Sequence, residues 1–134
     1  MSSVYLIGNK DYFKKKFKKK KKIKIIETFL NKNNISLLND LNYLLFIVRW
    51  VKKIRPHSII SFTIKPNLIA LIISKIFSIP AIITISGLGT LFLRYKFIFI
   101  CYLNLLKILI NKKVVIFFHN KDDYFLFKNQ KILN

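Results

Sequence analysis

The stretch SFTIKPNLIALIISKIFSIPAIITISGLG, residues 61–89, decides how the rest of the chain is read. It opens inside an apolar run, Ser58 to Thr63, with the composition of a buried strand. The short loop Ile64-Lys65 and then Pro66 follow; the fixed φ of proline suits the first turn of a helix, which the apolar spacing carries to about Phe77. Ile79-Pro80 breaks that pattern, Ala81 to Ile85 is apolar and β-branched enough for a second buried strand, and Ser86-Gly87-Leu88-Gly89 closes it. Strand, helix, strand in this order predicts a parallel pair. Loops after parallel strands open on one edge, and open α/β sheets bind ligands there.

The same alternation extends in both directions. Toward the N-terminus, Val4 to Ile7 reads as a short strand and Asp11 to Lys22 as a one-faced helix, with Tyr12, Phe13 and Phe17 on one side and lysines elsewhere. Ile23 to Phe29 reads as a strand, and the polar turn after it holds Ser36 and Asn39 as alternative caps for a helix over Leu41–Ile54. Leu41, Leu44, Leu45, Val48 and Val51 recur at three and four there, Lys52, Lys53 and Arg55 favour its C-terminal end, and Pro56 stops it. Toward the C-terminus come a helix over about Leu91–Ile110, a strand at Val114–Phe118 and a last helix from near Asp122. The expectation is an α/β, Rossmann-like fold: one domain with a mostly parallel sheet of about five strands and helices on both faces.

Composition bounds the function classes. Hydrophobic residues make up 53% of the 134, too many for a disordered chain, so the net charge of +20 sits on the surface of something folded. Two readings of that charge stay open, an anionic partner or a codon bias that pushes tolerant surface positions toward lysine. Cys101 is the only cysteine and lies in an apolar run, which excludes an intrachain disulfide and predicts a buried, inert thiol. The start MSSVYLIGNKDYF lacks the pattern of a secretory signal, so a cytoplasmic placement is expected. The apolar run Phe97–Ile110 contains Asn104 and Lys107 and is short for a membrane span; a core helix and a helix lying on a membrane both fit it.

Three loops carry polar or glycine residues after a strand. Lys65-Pro66-Asn67 opens a helix, where free N–H groups and a lysine can meet an anion or simply face water. Ser86-Gly87-Leu88-Gly89-Thr90 allows close backbone approach or a plain tight turn, and it is neither a dinucleotide fingerprint nor a P-loop. His119-Asn120-Lys121-Asp122-Asp123 begins the last helix, with its acids placed as caps or dipole partners. Five acids in all, Asp11, Glu27, Asp40, Asp122 and Asp123, argue against a metal centre. No serine sits in a nucleophile elbow, and His57 and His119 are the only histidines. The Lys14–Lys22 run can meet phosphates or water, but no nucleic-acid recognition module is visible, so nucleic acid is not the expected partner.

Taken together, SFTIKPN at 61–67, the Ile79-Pro80 break, ISGLG at 85–89 and FFHNKDD at 117–123 resemble the N-terminal domain of family-4 glycosyltransferases, especially bacterial members that build lipid-linked surface polysaccharides. The likeness continues through NISLLNDLNYLLFIVRWVKKIRPHSIISF and covers most of the chain from about residue 23. This resemblance implies the GT-B architecture, two Rossmann-like domains across a cleft, with the acceptor on the N-terminal side and the nucleotide-sugar held on the other through two glutamates eight residues apart. It implies that Lys65, Pro66, Asn67, Gly87, Leu88, Gly89 and Thr90 bind the acceptor, with His119, Asn120 and Asp123 at the cleft edge. No donor domain and no counterpart of the family's first strand are recognisable, so the chain reads as an incomplete acceptor domain, either half of a split enzyme or a gene remnant.

The resemblance supplies no catalytic base, because the loop reading SGLG lacks the histidine that some members carry; His119 is the candidate left at a strand end. No cofactor and no metal are expected. The expected function is to hold a glycan or lipid-linked acceptor for hexose transfer, with nucleotide-sugar bound only by a separate donor domain and the chain inactive alone. Peripheral attachment to an anionic membrane is compatible with the charge. The alternative is a non-catalytic basic module that binds anionic membrane or nucleic acid.

Overall fold

The computed structural model describes residues 3–8, 13, 22–28, 36–88 and 95–133. Its fold is mixed α/β and Rossmann-like, and the five strands among the described residues all pair in parallel. They are divided between a two-stranded and a three-stranded sheet, and the chain forms two compact units, Met1–Lys53 and Ile54–Asn134.

In the first unit β1 (Val4–Gly8) pairs with β2 (Ile23–Glu27), Val4 opposite Ile23 and Gly8 opposite Glu27. The ring of Phe13 lies over Gly8 so closely that a Cβ there would fall 2.7 Å from it, which puts this aromatic against the strand. The remaining residues of the expected lysine-rich helix lie outside the described set, apart from Lys22. Helix α1 (Leu37–Ile54) begins four residues earlier than its apolar periodicity indicates, after Ser36, whose carbonyl accepts from the Asp40 N–H at 2.9 Å. Tyr43 on α1 bonds Thr28 beyond β2, and burial raises its phenol pKa.

The second unit carries β3 (Ile59–Phe62), α2 (Ile64–Phe77), β4 (Ala81–Ile85), α3 (Lys96–Leu109), β5 (Val114–Phe118) and α4 (Lys121–Asn129). The sheet order β3-β4-β5 follows the chain, with Ile59 opposite Ala81 and Ala81 opposite Val114. Crossovers of one hand that advance in one direction bring their helices to one face. Ile83 and Ile85 accordingly share a core with Ala70 and Leu71 of α2, Phe99, Leu103 and Leu106 of α3, and Phe127 of α4. Side chains of this size contribute about 1.5–3 kcal/mol each when fully buried. On the opposite face Ile60, Phe62, Val115 and Phe117 are exposed, flanking the half-buried Ile82 and the buried Thr84.

Two expectations change here. Helix α2 starts at Ile64, so Lys65, Pro66 and Asn67 form its first turn; proline is tolerated there because the first four N–H groups have no intrahelical acceptor. Cys101 is exposed, contrary to the expectation of a buried thiol. The inward positions of α3 are Phe99, Tyr102, Leu103, Leu106 and Leu109, and position 101 falls on the other side.

Leu71 and Phe127 are wholly buried. Leu71→Ala or Phe127→Ala is expected to lower the stability of this unit by about 2–5 kcal/mol, while the exposed Ile76→Ala changes it by about 0.5 kcal/mol or less. Urea denaturation followed by circular dichroism measures both.

Candidate functional site

Because β3, β4 and β5 run parallel and in register, the segments that follow them meet at one edge of their sheet. Those segments are the first turn of α2, the loop Ser86-Gly87-Leu88, and His119-Asn120 leading into α4. Two side-chain bridges tie them together. Ser61 on β3 donates its hydroxyl to Asn67 Oδ1 at 2.7 Å, and Asn67 Nδ2 donates to the Thr84 carbonyl of β4 at 2.9 Å. On the other side, Asp123 Oδ1 accepts from the Leu88 N–H at 3.4 Å, and Asp123 Oδ2 accepts from Asn120 Nδ2 at 2.9 Å. Asn120 Oδ1 in turn accepts from the Asp123 N–H at 2.8 Å, a reciprocal cap on α4. The His119 N–H donates to the Ile85 carbonyl at 3.0 Å.

These bridges sort the residues that sequence reasoning assigned to the acceptor. Asn67 is 1% exposed and spends both ends of its amide inside the fold, so in this structure it joins β3 to β4 and presents nothing to a ligand. Leu88 and Asp123 are likewise buried. Lys65 and Pro66 are half-buried in the first turn of α2, while Ser86, Gly87, His119 and Asn120 are exposed. Gly89 and Thr90 lie outside the described residues. Gly87 has φ 134° with open space where a Cβ would stand, so only its backbone conformation requires glycine.

Two features escaped the sequence reading. Thr63, the residue before α2, holds φ 69° and ψ 161°, a region that glycine alone occupies without strain. A polar β-branched residue at a strand end gives no local sign of this. The second is an open depression of about 440 Å³ at the end of β5, lined by Ile116, Phe117, Phe118, His119, Asn120, Lys121 and Tyr124. Tyr124 was findable, since it stands within the first turns of a helix that starts at the edge. The depression pairs aromatic walls with an imidazole, an amide and an ammonium on its rim, a lining suited to a polar ligand with an apolar face.

The carboxylate of Asp123 is buried and already accepts two hydrogen bonds, so it serves as a structural acceptor. The buried Tyr102 hydroxyl finds no hydrogen-bond partner among the described residues; burial, and then the Asp123 charge, push its pKa far above the ordinary phenol range, which keeps it protonated. Among the described residues no three His, Cys, Asp or Glu side chains come together in a way that holds a metal ion. No protein-family model matches the chain, and no curated protein matches it significantly.

Asn67→Ala strips the Ser61 hydroxyl and the Thr84 carbonyl of a buried partner, and a loss of about 2–3 kcal/mol is expected on chemical denaturation. Two backbone variants have opposite signs. Gly87→Ala is expected to lose about 1 kcal/mol through its positive φ. Thr63→Gly gains about 1 kcal/mol or more by releasing strain, which a thermal melt reads as a rise in Tm.

Proposed function

We propose that this chain is the acceptor-binding half of a glycosyltransferase, one that transfers a hexose from a nucleotide-sugar to a lipid-linked or polysaccharide acceptor. The observation that carries the reading is the bridged sheet edge. The three stretches that resemble family-4 glycosyltransferases, at 61–67, 85–89 and 117–123, contribute their described residues to it through the Ser61–Asn67–Thr84 and Leu88–Asp123–Asn120 bridges.

On this reading the edge works by position. Bridges that fix the loops before a ligand arrives reduce the ordering cost of binding, and a held acceptor reacts as if at high effective concentration. His119, Lys121 and Tyr124 contact the glycan or its phosphate, and the Ser86-Gly87 backbone gives a close approach. Glu27 is the only glutamate, so these residues hold no pair of glutamates for a donor. The donor site and the stabilisation of the leaving group therefore come from a second domain. No helix of the described residues is long and apolar enough to cross a membrane.

The second reading, a non-catalytic basic module on an anionic membrane, is favoured by the net charge of +20 and by the apolar outer side of α3. Reconstitution separates the two. The chain alone is expected to show no transfer, and a matching donor domain supplied in trans is expected to restore some. In the restored pair Gly87→Val lowers turnover by distorting the loop, whereas Lys18→Ala changes it little. Radiolabelled sugar incorporation into an acceptor lipid provides the measurement; transfer by the isolated chain, or none with any donor domain, would sink the split-transferase reading.

A further inference from the structure

Helix α3 turns its polar economy inside out. Its inward positions fill the core, yet its outward side carries Phe97, Ile100, Cys101, Leu105 and Ile108, with Asn104 the one uncharged polar residue among them. Phe97 is 79% exposed and Ile108 64%. At about 100° per residue, positions 97, 101, 104 and 108 form one line along the helix, with 100 and 105 on its two sides. Lys96 and Lys107 fall together along one border of that stripe. The stripe continues onto the neighbouring helix: the Lys75 ammonium donates to the Ile108 carbonyl at 2.7 Å, which brings the 66%-exposed Ile76 to the same end. Lys113 adds a charge there, donating to the Ser78 carbonyl at 3.0 Å.

We infer that this face of α3, extended by Ile76, docks on the surface of a bilayer with anionic headgroups. Charge selects the occupant. From Leu41 to Lys121 the chain holds no Asp or Glu, so every charged residue on α2 and α3 is a lysine. A second copy would bring +20 against +20 across an apolar contact, whereas an anionic lipid surface attracts lysines and accepts apolar side chains beneath its headgroups. Length excludes crossing: fourteen helical residues span about 21 Å against a hydrocarbon core of about 30 Å. The helix therefore lies in the interface, with Phe97, Ile100, Leu105 and Ile108 below the headgroups and Lys96 and Lys107 reaching up to the phosphates. This contact is separate from the sheet edge and holds whether or not that edge binds a glycan.

Cys101, the only cysteine, is exposed on this stripe and serves as the probe. The full chain, labelled at Cys101 with an environment-sensitive fluorophore, is mixed with vesicles of phosphatidylcholine and phosphatidylglycerol, and with phosphatidylcholine alone; unlabelled chain is co-sedimented in parallel. The expected result is binding to the anionic vesicles, a blue shift at Cys101, quenching by brominated acyl chains, and weakening by salt. The exposed double substitution Phe97→Ser with Ile108→Ser, its fold checked by circular dichroism, is expected to weaken binding at least about tenfold, since two large side chains no longer leave water. Absence of binding to anionic vesicles overturns the inference. So does binding that leaves Cys101 unshifted and unquenched, which assigns attachment to another surface, and so does lipid-free self-association that covers Cys101.

Discussion

Strand β4 is hydrogen-bonded along both sides, to β3 and to β5, and the second unit is organised around that double pairing. Ala81, Ile83 and Ile85 point into the helices, and Thr84 is covered on the other side between Phe62 and Phe117. A strand buried in this way tolerates neither a one-residue slip nor an unpaired backbone group. Once its register is set, the ends of all three strands fall level, and the segments that follow them are brought together.

That constraint explains how the edge treats its polar residues. Groups that leave a buried parallel sheet need hydrogen-bond partners, and Ser61, Asn67, Asn120 and Asp123 provide them for one another and for the Thr84 carbonyl and Leu88 N–H. The result is a preformed edge whose side chains are largely committed to holding it. What remains exposed is backbone at Ser86-Gly87 and the side chains of His119, Lys121 and Tyr124. The strained Thr63 belongs to the same picture, because a residue in that conformation persists only where its surroundings over-determine it.

Apolar surface is distributed unevenly over this unit. Its helices close one face of the sheet, and α3 then presents a second apolar side outward, where a solvent-facing helix ordinarily carries charge. Lys96 and Lys107 lie along one border of that side, and α2 and α3 hold no acidic residue.

Local signals in the sequence were enough for the elements themselves. The Val114–Phe118 strand was legible to the residue, and Pro56, Pro80 and the glycine of the SGL loop marked breaks that the structure keeps, because proline and glycine act on their own φ and need no distant partner. The α/β alternation and the common edge of the three loops followed from element order alone. Tertiary structure alone decided which residues of those loops remain accessible. Asn67 and Lys65 stand in one helical turn and look equally available in sequence, yet one is sealed between β3 and β4 and the other is half-buried. Cys101 reads as a core residue within its apolar run and turns outward, because the neighbouring strands and helices determine which side of α3 is inside. Burial and pairing depend on residues distant along the chain, and a local pattern carries no record of them.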